Sequence, residues 1–179
     1  MRRIIECTLV SVDGVIGDPH LWAMQYFDQA AQDDALSLLS QSDAMLMGRR
    51  TYEIFSAVWP TQSGPYADRL NNIPKYVFSS TLQRADWKNA TIIGGDVAAE
   101  AAKLKRQDGQ NLVMYGHGPL GQTLLEHQLL DELRLFIHPI VVGHGKLLFR
   151  EGEQTKLKVG ATKTLKTGVI AVSYLPTAA

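Results

Sequence analysis

The chain has 179 residues, of which 18 are basic and 18 acidic, so its formal net charge is zero. A balanced charge argues against a nucleic-acid-binding surface, and 45% apolar residues is an ordinary composition for a globular protein. The apolar runs are all shorter than the roughly 20 residues that cross a bilayer, and the N-terminus lacks a signal-peptide pattern. We therefore expect one cytoplasmic domain over residues 1–179, with no nucleic-acid or membrane partner.

Short apolar runs rich in β-branched residues predict eight strands. In chain order, the runs cover residues 4–12, 44–47, 76–78, 91–93, 112–115, 133–142, 156–165 and 169–174. The last two flank Gly168, and a glycine there suits a hairpin loop that needs a positive φ angle. The single cysteine, Cys7, falls inside the first run and is expected to be a buried apolar side chain.

Helical patterns separate the earlier strands. The first is an apolar stripe at helical spacing, formed by Met24, Phe27, Ala31, Ala35 and Leu38. A second helix is predicted over residues 51–58, a third after the N-cap residue Asp96, and a fourth with Pro119 in its first turn. Residues 60–74 are expected to form a surface loop with at most one short helix. This order predicts a mainly parallel sheet covered by helices, which binds ligands beyond the carboxyl ends of its strands.

The junction after the second strand has the features of an anion site. Gly48 precedes a helix start, where unpaired backbone N–H groups attract anions. Arg49 and Arg50 add forked donors suited to phosphate, and Thr51 adds a hydroxyl. The alternative is a tight turn with two solvated arginines.

Two later junctions repeat this arrangement. Ser79 and Ser80 follow the third strand, where their hydroxyls suit either a ribose or phosphate group or an ordinary capped turn. The other junction leads from a strand through a glycine-flanked turn into a helix, as Gly116, His117, Gly118, Pro119 and Leu120. Three such junctions in one small sheet predict a dinucleotide groove.

These motifs resemble the dihydrofolate-reductase-like superfamily, and more closely its riboflavin-biosynthesis reductase branch, the C-terminal domain of the deaminase-reductase and its stand-alone relatives. The resemblance rests on residues 11–17, 47–53, 116–118 and 139–149. It implies a three-layer α/β fold: about eight mostly parallel strands, helices on both faces and a C-terminal antiparallel hairpin. It also implies NADPH as the cofactor. Two glycine triplets that are usual in this branch are interrupted here, because the middle residue of each is a histidine: His117 in the first and His144 in the second.

The resemblance also implies cofactor contacts, residue by residue. Arg49, Arg50 and Thr51 would meet the phosphates, and Ser79 and Ser80 would lie near the 2′-phosphate of the adenosine. Residues 116–120 would hold the diphosphate. The nicotinamide would lie beside Ile16 and Gly17. From the paired arginines we expect an Arg50→Ala variant to lose more affinity for NADPH than for NADH.

Candidates for substrate chemistry are less specific. Dihydrofolate reductases carry a carboxylate on the first helix, which makes Asp28 and Asp34 the catalytic candidates. Asp13 and Trp22 are candidates for substrate binding, although Asp13 also suits a turn and Trp22 suits packing. The riboflavin reductases place a carboxylate where this chain has Thr123, which sets it apart from their ribityl-substrate chemistry.

The resulting hypothesis is an NADPH-dependent reductase of a small pyrimidine- or pterin-like heterocycle, similar to 5-amino-6-(5-phosphoribosylamino)uracil reductase. The alternatives are a weak dihydrofolate reductase and an NADPH-binding protein without efficient turnover. His117, His138 and His144 follow separate strands, so no metal site is expected. The apolar run 133–142 is unusually long, and the resemblance implies dimers, which are common in this branch. We therefore expect a homodimer.

Overall fold

A computed structural model of the chain describes residues 1–150, 152 and 154–177. The strands in this part of the chain are β1 (Ile4–Ser11), β2 (Ser42–Gly48), β3 (Lys75–Phe78), β4 (Ala90–Ile93), β5 (Asn111–Tyr115), β6 (Glu132–His138), β7 (Leu157–Thr164) and β8 (Ile170–Pro176). The α-helices are α1 (Gln29–Ser40), α2 (Arg49–Val58), α3 (Pro65–Asn72), α4 (Val97–Arg106) and α5 (Pro119–Glu126). Short 3-10 helices cover Pro19–Leu21, Met24–Tyr26 and Trp59–Thr61.

All eight strands lie in one sheet, in the order β4-β3-β2-β5-β1-β6-β8-β7. The strands from β4 to β6 in that order run parallel, whereas β8 runs antiparallel to both β6 and β7. On the central strand β1, Cys7 is in register with Tyr115 on one side and Arg134 on the other. The turn between β7 and β8 contains Gly168 at φ 86°, as its position predicted. The predicted mixed sheet with a C-terminal antiparallel hairpin is confirmed.

The central strands of the sheet are buried on both faces, to which their successive side chains point alternately. Ile4 belongs to the apolar cluster that also contains residues of α4 and α5, while Ile5 belongs to the cluster with residues of α1, α2 and α3. Helices therefore cover both faces, which makes the three layers that the resemblance implied. Among the described residues, no helix is long and apolar enough to cross a membrane.

Two predicted boundaries differ from the structure by more than two residues. The first helix begins after Asp28, whose side chain accepts a hydrogen bond from the backbone N–H of Ala31 (2.9 Å) and so caps α1. Met24 and Phe27 therefore precede the helix, and both are exposed. Strand β6 ends at His138 instead of continuing to residue 142, because Pro139 has no N–H to extend the ladder.

The other predicted helices agree closely. The Asp96 side chain accepts from the N–H of Ala99 at the start of α4, and Ala101 and Leu104 of that helix are buried. Pro119 occupies the first turn of α5, as predicted. The loop expected over residues 60–74 contains one short helix, α3.

Candidate functional site

The carboxyl ends of the parallel strands lie along one edge of the sheet, and those of β2, β3, β4 and β5 carry a glycine, a hydroxyl group or a helix start. Gly48 ends β2, and residues 79–81 follow β3. Gly94 and Gly95 follow β4, and Gly116 follows β5. The three junctions singled out in the sequence therefore lie along the same edge.

The first junction places two arginines at the start of α2 with different neighbours. The Arg49 guanidinium donates to Glu53 (2.7 Å) and to the Thr81 hydroxyl (2.8 Å), which brings it to the end of β3. The Arg50 guanidinium lies 3.7 Å from Asp18 in the loop after β1. The two side chains thus extend toward different parts of the edge, with partly buried Thr51 behind them.

The hydroxyl junction after β3 is a capped turn. The Ser79 Oγ accepts hydrogen bonds from the backbone N–H groups of Thr81 (3.2 Å) and Leu82 (3.0 Å). Ser80 is exposed beside it. The turn holds Thr81 against Arg49 and leaves the Ser80 side chain at the surface.

The glycine turn after β5 has room for a ligand. Gly116 has φ 76°, and a Cβ atom built on it would meet nothing within 4 Å. Gly94 and Gly95, at the end of β4, are equally open. Gly118 is the N-cap of α5 and carries no capping side chain; because Pro119 has no N–H, the N–H groups that the first turn can offer an anion are those of Leu120 and Gly121.

His117, the middle residue of the turn, does not extend into that open space. Its side chain is buried, and its Nδ1 lies 2.7 Å from Oε1 of Glu6, a carboxylate on β1 that is fully buried. The Thr8 hydroxyl donates to the same oxygen (3.1 Å), whereas Oε2 of Glu6 has no hydrogen-bond partner in the part of the chain that the structure describes. The histidine is therefore fixed beneath the glycine turn and leaves the groove above it open.

A lysine that the sequence analysis did not single out completes this part of the edge. The Lys146 Nζ donates to the backbone carbonyl of His117 (2.8 Å) and lies 3.8 Å from the position a Cβ would take on Gly118. Burial, followed by the charges of Arg50 and Arg150, lowers the pKa of Lys146. Two further cations thus act on Lys146, which itself lies at the start of α5, and clustered positive charge there suits an anion. The sequence signal was a lysine inside a glycine-rich segment, Gly145-Lys146.

The loop after β1 is hydrogen-bonded to the segment that carries Lys146. Asp13 accepts from the Ser11 hydroxyl (2.6 Å) and from the N–H groups of Val142 (3.1 Å) and Gly143 (2.7 Å). These donors, the Ser11 hydroxyl first, lower the pKa of Asp13 to about 2. The bonds to Val142 and Gly143 tie the two loops together, and they engage both carboxylate oxygens of Asp13.

The contact between these two loops also involves Ile16, Gly17 and Trp22. The Ile16 N–H donates to the Lys146 carbonyl (2.8 Å), and a Cβ on Gly17 would come within 3.1 Å of the backbone nitrogen of Lys146. The buried Trp22 indole donates to the Gly17 carbonyl (2.9 Å) and packs edge-on against His138, 5.4 Å between ring centres. Burial lowers the pKa of His138. Trp22 therefore has a packing role in this structure.

The two carboxylates proposed for catalysis lie in different environments. Asp28 caps α1, as described above. Both oxygens of Asp34 accept from Lys163 Nζ on β7, at 2.8 and 2.7 Å. Only Asp34 of the two lines the cavity described next.

A cavity of about 240 Å³ lies between α1 and the strands on that face of the sheet. Its polar lining includes Asp34, Tyr115, Arg134, Lys163 and Ser173. Cys7 also lines it, and burial raises the pKa of that thiol to about 12, so it stays protonated. Tyr115 is the last residue of β5, directly before Gly116, which makes it the link between the cavity and the glycine turn. Among the described residues, no group of three or more His, Cys, Asp or Glu side chains is placed to hold a metal ion.

A family model described as the RibD C-terminal domain matches residues 2–171. The chain belongs to that family. It is 32% identical to the uncharacterized Bacillus subtilis protein YyaP over 97% of this chain and 94% of the relative.

Two solved structures share the fold. A protein from Shewanella sp. PV-4 attributed to riboflavin biosynthesis superposes with a TM-score of 0.77 at 23% identity, over 98% of this chain and 99% of the other. A pyrimidine reductase-like protein from Corynebacterium diphtheriae gives a TM-score of 0.71 at 13% identity, over 99% and 93%. The fold is thus the dihydrofolate-reductase-like fold of the riboflavin-pathway reductase domains.

Proposed function

We propose that this protein is an NADPH-dependent reductase of a small pyrimidine- or pterin-like heterocycle. The observation that carries the proposal is the convergence of two helix starts, those of α2 and α5, with Arg50 and Lys146 beside an open glycine turn. The diphosphate of a dinucleotide needs backbone N–H groups, fixed positive charge and close access to the backbone. All three features are present at this edge, so the residues fit the cofactor.

Each phosphate group has a proposed partner. The diphosphate would lie on the start of α5 over Gly116 to Leu120, within reach of Lys146 and Arg50. The 2′-phosphate would lie at the end of β3, where Ser80 is exposed and the Arg49 guanidinium bonds Thr81. This assigns the choice of NADPH over NADH to Arg49, whereas the sequence alone suggested Arg50.

The substrate is proposed to occupy the 240 Å³ cavity beside α1. Tyr115 lines this cavity and directly precedes Gly116, so the cavity adjoins the end of β5 that carries the glycine turn. The Arg134 guanidinium donates to Glu132 through Nε and Nη2 and has further N–H groups of the kind that ring carbonyls and nitrogens accept, whereas the Ser173 hydroxyl donates to Glu132 and can only accept from a ligand. Asp34 is retained as the catalytic candidate in preference to Asp28, because Asp28 is occupied in capping α1.

When bound, NADPH supplies a hydride. The protein must position the acceptor and provide a proton. Burial, and then Tyr66, raise the pKa of Tyr115 well above its usual value, so its hydroxyl remains a donor throughout the neutral range. We propose that Tyr115 donates a hydrogen bond to the bound heterocycle. Asp34 would act only after Lys163 releases one of its oxygens.

The test of this function has two stages. NADPH is titrated against the protein by following the fluorescence of the nicotinamide, and NADPH oxidation is then measured with a panel of pyrimidines and pterins. Binding together with turnover of a pyrimidine or pterin supports the proposal, and turnover of dihydrofolate alone favours a weak dihydrofolate reductase. Binding without any turnover favours an NADPH-binding protein. Absence of NADPH binding contradicts all three.

We also propose a homodimer. β7 forms one edge of the sheet and is exposed along almost its whole length, including the apolar Val159. Exposed edge strands tend to pair or to be covered. Light scattering coupled to size exclusion should give twice the chain mass, and a monomer at micromolar concentration would contradict this.

A further inference from the structure

The glycine turn proposed for the diphosphate has a buried acid–base pair beneath it. Glu6 on β1 is 0% exposed, and His117 within the turn is 8% exposed. Their side chains meet at 2.7 Å through Nδ1 of the imidazole and Oε1 of the carboxylate. The reaction proposed above makes no use of either group.

The carboxylate of Glu6 lies against the inner side of the start of α5. Its Oε2 has no hydrogen-bond partner among the described residues, and a Cβ on Gly121, in the first turn of α5, would collide with it. The start of α5 attracts negative charge, and Glu6 supplies it from inside the protein. A diphosphate on the outer side of the same turn would therefore face a buried carboxylate of like charge.

We propose that the Glu6–His117 pair links anion binding at this turn to proton uptake: the diphosphate of a dinucleotide binds when the pair holds a proton between its two groups. This rests on the proposed function. Without that proton the pair carries one negative charge and repels the ligand; with it the pair is neutral overall. Binding therefore draws up to one proton from solvent onto the pair, and NADPH affinity falls as pH rises.

The other charged groups around His117 do not replace this role. Lys146 bonds the His117 carbonyl, and Arg50 and Arg150 act on Lys146. Glu126, on α5, lines the 150 Å³ space beside the imidazole together with Gln122 and Phe149. Thr8 bonds Glu6 from the same strand. Among these groups only an imidazole ordinarily titrates between pH 5 and 8.

The experiment is calorimetric titration with NADPH at pH 7.5 in two buffers of different ionisation enthalpy, which counts the protons taken up. The 2′-phosphate of NADPH has an ordinary pKa of about 6, so at pH 7.5 it has almost no proton to release. We expect the unmodified protein to take up a fraction of one proton per site. Its Kd should rise with pH by up to about tenfold per unit. Zero uptake with normal binding overturns the inference and leaves the proposed function standing, whereas absence of binding overturns the proposed function.

Two variants identify the group responsible. In His117→Asn the titrating group is lost, and in Glu6→Gln the repelling charge is lost. Both should take up fewer protons than the unmodified protein, and Glu6→Gln should bind NADPH more tightly at pH 8. Circular dichroism checks that each variant is folded. If a variant does not fold, the proton uptake of the unmodified protein alone tests the inference. Equal uptake in folded His117→Asn and unmodified protein overturns the assignment.

Discussion

The Lys146 ammonium donates a hydrogen bond to the backbone carbonyl of His117, 2.8 Å away, across 29 residues of sequence. The same lysine accepts, through its own carbonyl, the N–H of Ile16 in the loop after β1. One residue thus joins the glycine turn, the first loop and the segment after β6. The groove proposed for the cofactor is therefore assembled from three separate parts of the chain.

Lys146→Met should weaken NADPH binding by about tenfold to a hundredfold. A hydrogen bond to a charged group contributes about 1.5–3 kcal/mol, and this lysine lies at the start of α5 where the diphosphate is placed. Lys146→Arg should keep most of the affinity, since charge and donor remain. Lys158→Met, on exposed β7, is the matched control and should bind as the unmodified protein does. Fluorescence titration measures all three, and equal Kd values for Lys146→Met and the control would exclude Lys146 from the groove.

The two arginines of α2 should have separable effects. Arg49→Ala should raise the Kd for NADPH by a factor at least about ten times larger than the factor for NADH, because Arg49 lies at the Ser79–Thr81 turn proposed for the 2′-phosphate. Arg50→Ala should weaken both cofactors by a similar factor, because Arg50 lies on the side of Lys146. Parallel titrations with the two cofactors give the ratios. An Arg50→Ala variant that discriminates more strongly than Arg49→Ala would restore the assignment made from sequence.

Tyr115→Phe should lower kcat on the accepted heterocycle by about tenfold or more while leaving NADPH affinity unchanged. The phenol is proposed to bond the substrate, and one neutral hydrogen bond contributes about 0.5–1.5 kcal/mol, more when its loss leaves a buried polar group unpaired. Tyr174→Phe is the control, since Tyr174 lies on β8 and does not line the cavity. Steady-state kinetics decide; an equal loss in both variants would mean that the effect is structural.

Asp13 should stabilise the fold in a pH-dependent way. Its pKa is about 2 in the folded protein against an ordinary 3.8, because the Ser11 hydroxyl and the N–H groups of Gly143 and Val142 bind the ionised form. The stabilisation is therefore present above about pH 4 and is lost as pH falls toward 2. Asp13→Asn should be less stable at neutral pH, and the difference from the unmodified protein should shrink with acidification. Thermal unfolding from pH 2 to 7 measures this; a constant difference would contradict it.

Local signals in the sequence were enough for most of the fold. Asp96 and Pro119 mark the starts of α4 and α5, and Gly168 marks the hairpin, because each residue type has a geometric preference that neighbours do not override. The start of α1 was wrong because Met24 and Phe27 fit the helical period, yet the Asp28 cap begins the helix after them. Periodicity does not indicate which of several turns is capped.

The site was less predictable for a different reason. The glycines and arginines at strand ends could be identified because their motifs are contiguous in sequence. Glu6 and His117 are 111 residues apart, and Glu6 reads as one polar residue in an apolar strand. Lys146 and Arg49 take their roles from neighbours that only the folded chain brings near. Contacts between residues that are far apart in the sequence depend on the topology of the fold and not on any local sequence pattern.

Strand β1 lies at the middle of the sheet, with Glu6 directed to one face and Cys7 to the other. Glu6 meets the glycine turn from below, and Cys7 lines the cavity proposed for the substrate. A single inserted or deleted residue at the beginning of the strand would exchange these two positions. The carboxylate would enter the cavity and the thiol would lie under the turn. Length changes near residue 4 are therefore expected to be tolerated far less than substitutions there, even though the terminal residue Met1 is exposed.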